Sequence, residues 1–523
     1  MQRLWKLNLG KNFRKFFLSI WNILIMQKKA TYMNLTKISD ELSFKEFLGE
    51  KNTNVTGISY DSRTVKPGDI FIAIKGFQED GHEYVKQAIA SGASVIILER
   101  MIPGLQGFEA CFVVESGRRA LAEVSSIFYG YPSNKFNLFG VTGTNGKTTT
   151  VFLLDWILNS VGRKSAMLGT IFCRIGDKII SNERTTPESS DLQNLFGMMV
   201  KEEVSDVCME VSSHSLELDR VHGCNFDVAL FTNLSQDHLD FHGDMDSYFK
   251  SKMKLFKDCN PKKIIVNIDD KYGKQIYEQS KLDKFSYGLS KKADVCAENI
   301  CNTNTGLKFD LKSPDDFIKI ECPMIGEHNL MNILAATAAG VSSGIPVKEI
   351  AASLKTFQSV PGRFEQIEMG QPFLVVVDYA HTQDALSRVI KFSRPITKGR
   401  ILTLMGCGGN RDRTKRPLMC AEALKHSDIV VITTDNPRNE IPEQIIREVN
   451  NGTKLVPGSE DRCFSIVDRK EAINFIISFA KEGDTVLITG KGHETYQMIG
   501  NIKIPFDDRN QARNVLSALG YTS

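Results

Sequence analysis

Residues 136–150, FNLFGVTGTNGKTTT, decide the fold of this chain. Residues 136–141 are an apolar run of the kind that forms a strand buried on both faces of a parallel sheet. The glycine-rich turn that follows leads into a helical pattern at 148–161. Such a turn lets backbone N–H groups wrap phosphates, and the helix N-terminus adds a positive dipole end. The segment therefore predicts an α/β domain that binds phosphate groups.

The glycine-rich turn predicts binding of a nucleoside triphosphate. Lys147 would reach the β- and γ-phosphates, and the hydroxyl of Thr148 would bind Mg²⁺. The common phosphate-loop pattern has a glycine five residues before Gly146, where this chain has Val141, so the loop is a shortened form. An ordinary strand–helix turn is the structural alternative. The predicted phosphate-binding residues are Gly143, Thr144, Asn145, Gly146, Lys147, Thr148 and Thr149.

The pattern of an apolar run followed by a polar turn recurs along the chain. Helical patterns such as 330–341 separate these runs, and this alternation predicts an α/β fold with parallel sheets. Ligands bind such sheets at the carboxyl ends of the strands, where the polar turns of this chain lie. Further runs of this kind are at 207–211, 228–231, 373–377, 401–405, 429–432 and 485–488.

The length of 523 residues predicts about three domains. Residues 33–135 would be a small α/β domain, 136–358 a central domain with the phosphate loop on a parallel sheet, and 359–523 a Rossmann-like domain. Residues 1–32 combine basic side chains with an apolar run at 16–26, which is too short to span a bilayer comfortably. They are predicted to be an extension outside the fold, with an interfacial membrane anchor as the alternative.

Composition argues against several classes of function. The 65 basic and 62 acidic residues are nearly balanced, which does not favour a nucleic-acid-binding protein. The 11 cysteines form no C-x-x-C pair, so zinc-finger and redox motifs are not predicted. Reduced thiols in a cytoplasmic protein are expected instead. Beyond residue 32 the sequence has no long apolar segment, so stable membrane insertion is not expected.

Polar residues after two other apolar runs are candidate metal ligands. Glu210 ends one run and His238 follows another. Either could bind a metal, or serve as a capping or core residue. With phosphates present, hard oxygen ligands favour Mg²⁺. The sequence around His238 is not H-E-x-x-H, so a zinc protease is not predicted.

Two further motifs indicate an amino-acid pocket. In DNPR, residues 435–438, Arg438 offers a planar fork for a carboxylate and Asp435 a partner for an ammonium. A simple Asn-Pro turn is an equally good interpretation of those residues alone. In GKGHE, residues 490–494, the glycines allow close approach to a ligand and Glu494 could contact an ammonium. A plain turn is the preferred interpretation of this motif by itself.

Taken together, these motifs resemble the Mur ligase family over residues 33–523. Their order and spacing leave little room for another family. The segments that carry the resemblance are DSRTVKPGDIFIAIKG, GTNGKTTT, TTPESSDLQ, MEVSSHSLELDRV, FTNLSQDHLDFHGDMDSYFKSK, GEHNLMNILAA, VPGRFE, DYAHTQDAL, GCGGNRDRTKRP, DNPR and GKGHE. Two positions depart from common family patterns: Gln383 stands where proline is frequent, and Thr414 where glycine is frequent.

The resemblance implies a ligase that adds meso-diaminopimelate to UDP-N-acetylmuramoyl-L-alanyl-D-glutamate, through an acyl phosphate, in peptidoglycan synthesis. It implies ATP as co-substrate and Mg²⁺ as cofactor. The first domain would bind the UDP-sugar, the central domain ATP, and the C-terminal domain the incoming amino acid. A monomeric cytoplasmic enzyme is expected, with small-molecule substrates and no nucleic-acid partner.

The resemblance also implies roles for individual residues. Lys147, Lys252 and His238 would be catalytic, and Lys252 would be carbamylated so that its carbamate binds a second Mg²⁺ beside His238. The metal ligands would be Thr148, Glu210, His238 and carbamylated Lys252. ATP would contact the phosphate loop and, beyond it, Asn329, Asn332, Arg363 and Asp378. Ser62 would contact the uridine part of the UDP-muramoyl dipeptide, and its muramoyl dipeptide part would contact Thr185, Thr186, Ser212 and Arg220. The incoming amino acid would contact Arg411, Asp435, Asn436, Pro437, Arg438, Gly490 and Glu494.

Three alternatives stay open. A lysine-adding ligase of the same fold would carry an uncharged or acidic residue in place of Arg438, because lysine lacks the far carboxylate that a guanidinium binds. A folylpolyglutamate synthase shares the short phosphate loop, but the N-terminal DSR motif and DNPR argue against it. A non-catalytic nucleotide-binding scaffold would be expected to have lost Lys147 or a metal ligand.

Overall fold

A computed structural model describes residues 32–522 apart from 78, 106, 107, 109, 183, 304 and 305. The extension predicted for 1–32 lies outside the described residues, except for residue 32. The described chain forms two compact units. The first holds the residues up to Lys135 together with Pro187–Val200 and Glu217–Cys224. The second holds Phe136–Thr186, Lys201–Leu216 and the chain from Asn225 onward.

The first unit is built on a five-stranded sheet. In spatial order its strands are Glu46–Gly49, Ala110–Val113, Val95–Leu98, Asp69–Ile72 and Gly57–Ser59. The first pair is antiparallel and the others are parallel. Ile70 and Val95 face one apolar core, whereas Phe71 and Ile96 face another, because successive strand residues point to opposite faces. The unit also contains Met33–Asn34 paired with Asn54–Val55, and helices Leu35–Glu41, Val85–Ala90, Gly117–Phe128 and most of Ser189–Lys201.

The second unit contains a sheet of 11 strands among the described residues. Its middle strands, from Ser165–Leu168 to Val295–Thr303, are parallel to one another. Antiparallel strands extend both edges. In spatial order the strands are Lys178–Ile180, Cys173–Ile175, Ser165–Leu168, Asp206–Glu210, Asn137–Thr142, Val228–Phe231, Lys263–Asn267, Asp283–Gly288, Val295–Thr303, Gly306–Lys312 and Phe317–Cys322.

The helix after the phosphate loop, Lys147–Ser160, packs against helix Glu327–Ser342. Leu154 of the first helix and Ala335 and Ala338 of the second are fully buried in the same core. Small alanine side chains let the two helices approach closely, so the start of the first helix is held firmly beside the second. The other helices of this part are Ser213–Glu217, Leu239–His242, Met245–Lys257, Lys271–Gln279 and Val347–Lys355.

A six-stranded sheet forms the C-terminal part of the second unit. In spatial order its strands are Glu365–Gln366, Leu374–Asp378, Thr485–Thr489, Ile401–Cys407, Ile429–Thr434 and Cys463–Ser465. The first pair is antiparallel and the remaining pairs are parallel. A hairpin of Tyr496–Ile499 and Ile502–Pro505 follows the last long strand. The helices are Gln383–Ser393, Lys415–His426, Pro442–Asn450, Arg469–Ser478 and Asp508–Ala518.

The fold class predicted from the sequence is confirmed, and the phosphate loop does join a buried strand to a helix. The antiparallel strands Gly306–Lys312 and Phe317–Cys322 were not predicted from the sequence. In Gly306–Lys312 and Phe317–Cys322 buried and more exposed side chains largely alternate, so these strands lack the unbroken apolar run that marked the others. Within the part of the chain that the structure describes, no helix is long and apolar enough to cross a membrane.

Candidate active site

The phosphate loop, residues 143–147, folds around its own lysine. Gly143 and Gly146 have φ angles of 148° and 85°, which glycine adopts without the steric cost of a Cβ. Lys147 Nζ donates hydrogen bonds to the carbonyls of Gly143 and of the next residue, at 2.9 and 2.8 Å. Burial lowers the pKa of Lys147, and the nearby carboxylate of Glu210 opposes that shift. The ammonium is therefore positioned inside the loop that is predicted to receive the phosphates.

Gly146 leaves no room for a side chain. An ideal Cβ there would lie 2.3 Å from Asn332 Oδ1. Gly146→Ala is therefore expected to displace Asn332 or the loop and to weaken ATP binding by roughly 10-fold or more, because both the contact and the positive φ are strained. Isothermal titration with ATP measures this effect.

The matched control is Gly162→Ala, just past the other end of the same helix. Its φ is 80°, but the space around an added Cβ is open. Positive φ alone would lower stability by about 1 kcal/mol and leave ATP affinity unchanged. Equal losses of ATP affinity in the two variants would contradict the steric argument.

Glu210 ends strand Asp206–Glu210 beside the phosphate loop. Its Oε2 accepts hydrogen bonds from the hydroxyls of Thr148 and Thr170, at 3.0 and 3.1 Å, and its Oε1 accepts one from the backbone N–H of Thr170 at 2.7 Å. Mg²⁺ in nucleotide sites binds one or two carboxylates together with phosphate oxygens and waters. The paired oxygens of Thr148 and Glu210 fit such an ion. Among the described residues, no group of three or more His, Cys, Asp or Glu side chains is arranged to hold a metal.

Lys252 is a second buried lysine of this site. It extends from helix Met245–Lys257, its side chain is almost fully buried, and its Nζ donates a hydrogen bond of 2.8 Å to the carbonyl of Gly143. Burial holds the pKa of Lys252 well below 10.5, and the neighbouring Lys147 lowers it further. Burial disfavours the charged form of a lysine. A neutral amine is the form that reacts with CO₂, so this environment fits the predicted carbamate.

His238 lies at the start of the short helix Leu239–His242, with a φ of 52°. Its side chain is 45% exposed, and Nε2 lies 3.5 Å from Asp237 Oδ2. Its ring centroid is 4.9 Å from that of His214. The side chain lines both cavities described below, as a ligand-binding role requires.

A cavity of about 470 Å³ extends from the phosphate loop to residues of the C-terminal sheet and its loops. On its helical wall, Asn332 Nδ2 donates to Asn329 Oδ1 at 3.4 Å. Gly143, at the start of the phosphate loop, is predicted to bind ATP but is not among the residues that line the cavity. The cavity brings together the other residues predicted to bind ATP: Thr144, Asn145, Gly146, Lys147, Thr148, Thr149, Asn329, Asn332, Arg363 and Asp378.

Arg363 and Asp378 form the wall of this cavity on the side of the C-terminal sheet. The Arg363 guanidinium lies over the ring of Tyr379 at 4.6 Å, and its Nη2 is 3.4 Å from Thr148 Oγ1. Asp378 accepts backbone hydrogen bonds from Phe364 and Ala380, at 2.7 and 2.8 Å. Burial raises the pKa of Asp378, and Arg363 opposes that shift. A cation is thus directed at the phosphate loop from a second sheet.

The residues predicted to hold the UDP-muramoyl dipeptide are divided between the two units. In the second unit, Thr186 Oγ1 donates to the carbonyl of Glu210 at 2.8 Å and accepts from Ser212 N at 3.2 Å. The hydroxyl of Thr185 lies 3.1 Å from that of Thr170. Thr185 and Ser212 also line the cavity of about 470 Å³. These side chains are therefore adjacent to the phosphate loop.

Ser62 and Arg220 belong to the first unit. Ser62 is buried, and its hydroxyl donates to Gln87 Oε1 at 3.1 Å. Arg220 Nη2 lies 2.9 Å from Glu188 Oε1, and Arg118 pairs with the other oxygen of that carboxylate at 3.6 Å. Both predicted residues are thus ordered by polar partners within their own unit.

A second cavity of about 790 Å³ opens beside the loops of the C-terminal sheet. Pro437, which was predicted to bind the amino acid, is not among the residues that line this cavity and supports the DNPR loop. Its carbonyl accepts a hydrogen bond from Glu440 N at 3.0 Å and would lie 1.9 Å from a Cβ at Gly409. The close packing of that loop explains why a glycine faces it. The predicted amino-acid-binding residues that line the cavity are Arg411, Asp435, Asn436, Arg438, Gly490 and Glu494.

Arg438 enters this cavity from a strained backbone position. Its φ is 51°, which is uncommon for a residue with a long side chain. The hairpin holds it there, because Arg438 N donates to Met498 O at 3.0 Å and Gly500 N donates to Arg438 O at 2.8 Å. Nη1 donates to the carbonyl of Gly409 at 2.8 Å. Two backbone hydrogen bonds therefore fix the main chain of Arg438, and one side-chain hydrogen bond orients its guanidinium.

Sequence reasoning missed several residues of the site. Lys491 is fully buried behind the amino-acid cavity, although a lysine between two glycines is typical of an exposed turn. Asp237, Tyr379 and His381 line both cavities. Their position after buried strands is the signal that could have indicated them, and it does not distinguish them from turn residues.

The fold and the site define an ATP-dependent ligase of the class that activates a carboxylate with a nucleotide. Three family models match consecutive parts of the chain. They are the Mur ligase family catalytic domain at residues 54–129, the Mur ligase middle domain at 141–340, and the Mur ligase glutamate ligase domain at 362–492.

Named relatives and solved structures agree with these matches. The UDP-N-acetylmuramoyl-L-alanyl-D-glutamate–2,6-diaminopimelate ligase 1 of Clostridium acetobutylicum is 44% identical over 91% of this chain and 98% of its own length. The corresponding ligase of Clostridium botulinum is 42% identical over 93% of this chain and 100% of its own. A solved structure of such a ligase has a TM-score of 0.67 and 31% identity, covering 94% of this chain and 100% of that one. The chain belongs to the Mur ligase family of ATP-dependent, amide-bond-forming ligases.

Proposed function

We propose that this protein adds meso-diaminopimelate to UDP-N-acetylmuramoyl-L-alanyl-D-glutamate in peptidoglycan synthesis, at the expense of ATP. The observation that carries the proposal is Arg438 in one cavity with Asp435 and Glu494. A guanidinium fork beside carboxylates matches an amino-acid end that bears both a carboxylate and an ammonium. Diaminopimelate has such an end on both sides, whereas the far end of lysine has only an ammonium. The relatives from Clostridium acetobutylicum and Clostridium botulinum, at 44% and 42% identity, are named as 2,6-diaminopimelate ligases, which supports diaminopimelate as the substrate.

In the proposed reaction the D-glutamyl carboxylate attacks the γ-phosphorus of ATP, and an acyl phosphate and ADP form. Lys147 would neutralise charge on the transferred phosphoryl group. The amine of diaminopimelate then attacks the acyl carbon, loses a proton, and phosphate leaves. Thr148 and Glu210 would hold one Mg²⁺, and carbamylated Lys252 with His238 a second. When bound, Mg²⁺ neutralises the negative charge of the phosphates.

The other predicted roles are proposed on the same basis. We propose that ATP occupies the cavity of about 470 Å³ and the incoming amino acid the cavity of about 790 Å³. Ser62 would hold the uridine part of the UDP-muramoyl dipeptide, and Thr185, Thr186, Ser212 and Arg220 would hold its muramoyl dipeptide part. We also propose domain boundaries at 135/136 and 358/359, and a monomeric enzyme that works in the cytoplasm.

The choice of amino acid is tested at Arg438. Arg438→Met keeps a long side chain but removes the fork, so the KM for meso-diaminopimelate is expected to rise roughly 30-fold or more. Phosphate release with L-lysine, which makes no use of the fork, should change little. The measurement is kcat/KM for each amino acid with UDP-N-acetylmuramoyl-L-alanyl-D-glutamate and saturating ATP.

Arg447→Met is the matched control, because Arg447 is an exposed arginine on the neighbouring helix Pro442–Asn450. Arg447→Met should prefer meso-diaminopimelate to L-lysine to the same degree as the unmodified enzyme. If Arg438→Met also preferred meso-diaminopimelate to L-lysine as the unmodified enzyme does, Arg438 would not be the residue that selects the amino acid.

A further inference from the structure

Lys491 is a buried cation beside the proposed amino-acid pocket. It follows strand Thr485–Thr489, and its side chain has 0% exposure. Its Nζ lies 2.8 Å from Glu494 Oε2, 3.2 Å from Asn436 Oδ1 and 3.8 Å from Asp435 Oδ1. A fully buried ammonium is costly unless charged and polar partners surround it. Here the partners are side chains that line the cavity.

Asn436 closes this arrangement into a network. Its Nδ2 donates to Glu494 Oε2 at 2.8 Å, the same oxygen that Lys491 contacts. Its Oδ1 accepts from Lys491 and from the backbone N–H of Met498 at 2.9 Å. Glu494 is therefore fixed through one oxygen by two donors. The network belongs to the loops that carry DNPR and GKGHE.

Asp435 is held differently from Glu494. It is buried, and its Oδ1 has no hydrogen-bond partner among the described residues, because Lys491 Nζ, at 3.8 Å, is beyond hydrogen-bond distance. A buried carboxylate oxygen without a donor is unfavourable unless a ligand supplies one. This oxygen is adjacent to the cavity, which Asp435 lines.

The charges of the network match a single incoming ammonium. Asp435 and Glu494 bring two negative charges and Lys491 one positive charge, so one negative charge remains. Without Lys491, two carboxylates would face one ammonium, and like charges in a buried site repel each other. Because Lys491 neutralises the charge of Glu494, Asp435 is left to accept hydrogen bonds from the ammonium of the amino acid. Arg438 remains available to bind its carboxylate.

We propose that Lys491 is a positioning residue that fixes Glu494 and matches the charge of the pocket to one ammonium of the incoming amino acid. This inference rests on the proposed function of the cavity. Lys491 acts through Glu494 and Asp435 and does not itself contact the reacting atoms. Its loss should therefore affect amino-acid binding more than ATP binding or the chemical step.

The test compares Lys491→Met, Glu494→Gln and the double variant in the full-length enzyme. Lys491→Met is expected to raise the KM for meso-diaminopimelate roughly 30-fold, as removal of one partner of a buried charge pair does. The KM for ATP should stay within about 2-fold, because Lys491 does not line the cavity proposed for ATP and separate sites act independently. In the Glu494→Gln background, where one carboxylate is already neutral, Lys491→Met should raise the KM by less than about 3-fold.

Two results would overturn the proposal. One is an unchanged KM for the amino acid in Lys491→Met; the other is the same increase in both backgrounds. Should Lys491→Met fail to fold, two other comparisons replace it. The double variant is compared with Glu494→Gln, and Lys491→Arg is compared with the unmodified enzyme. Lys491→Arg keeps the positive charge and should keep the KM for the amino acid within about 5-fold. If the unmodified enzyme uses another amino acid, the proposed function fails, and the same comparison is run with the amino acid it does use.

Discussion

Lys147→Met is expected to abolish turnover, with a loss of about 10³-fold in kcat, because one preorganised charge at the transferred phosphoryl group is removed. The ammonium already lies inside the phosphate loop, where the carbonyls of Gly143 and the next residue hold it. Methionine has a similar length and no charge. The expected loss therefore reflects electrostatics and positioning, which supply most of the catalysis in phosphoryl transfer.

Release of phosphate from ATP, with both other substrates present, measures this loss. Lys164→Met is the control, because Lys164 is an exposed lysine beyond the other end of the same helix. Its thermal unfolding and activity should match those of the unmodified enzyme. Retention of more than about a tenth of the activity by Lys147→Met would be incompatible with a role at the phosphates.

Lys252→Ala is the second change with a large expected effect, a loss of about 10²-fold or more. Because burial and the adjacent Lys147 keep the pKa of Lys252 well below 10.5, its amine is neutral at a pH where exposed lysines are charged. The neutral amine adds to CO₂, a C–N bond forms, and one proton leaves to give a carbamate anion. That anion takes the place of a neutral amine in a site predicted to hold Mg²⁺ among phosphates.

Two measurements separate the carbamate from a structural role of the lysine. Enzyme supplied with ¹³C-labelled CO₂ should give a carbamate carbon signal that Lys252→Ala lacks. Added acetate or formate should partly restore the activity of Lys252→Ala, because a small carboxylate can take the place of the carbamate. Lys257→Ala, an exposed lysine of the same helix, should keep both signal and activity. No carbamate signal in the unmodified enzyme would refute this role.

The parts of the fold that could be predicted from the sequence are those with a strong local pattern. The run at 228–231 coincides with strand Val228–Phe231 because a strand covered on both faces must be apolar throughout. The phosphate loop was recognisable because only particular residues suit its turn. The edge strands Gly306–Lys312 and Phe317–Cys322 alternate in burial, and their pairing depends on distant neighbours that a local pattern does not contain.

The candidate site shows the same division. Many of the residues that the motifs indicated, such as Lys147 and Arg438, line the cavities, because chemistry restricts the residue types at strand ends. The motifs did not predict that Asn332 would touch Gly146 or that Lys491 would be buried against Glu494. Asn332 and Gly146 are far apart in sequence, so their contact follows from tertiary packing. Lys491 and Glu494 are three residues apart, but both contact Asn436, which comes from a distant part of the chain. A lysine in a glycine-rich turn gives no local indication of burial.

A competition between two amino acids tests whether the enzyme selects meso-diaminopimelate. Purified enzyme is given ATP, UDP-N-acetylmuramoyl-L-alanyl-D-glutamate and equal amounts of meso-diaminopimelate and L-lysine, and the nucleotide products are identified by mass. We expect the tripeptide that contains diaminopimelate, formed with release of one phosphate per amide bond. A product that contains only lysine would contradict the assignment of Arg438, and the absence of any ATP-dependent product would contradict the proposed reaction itself.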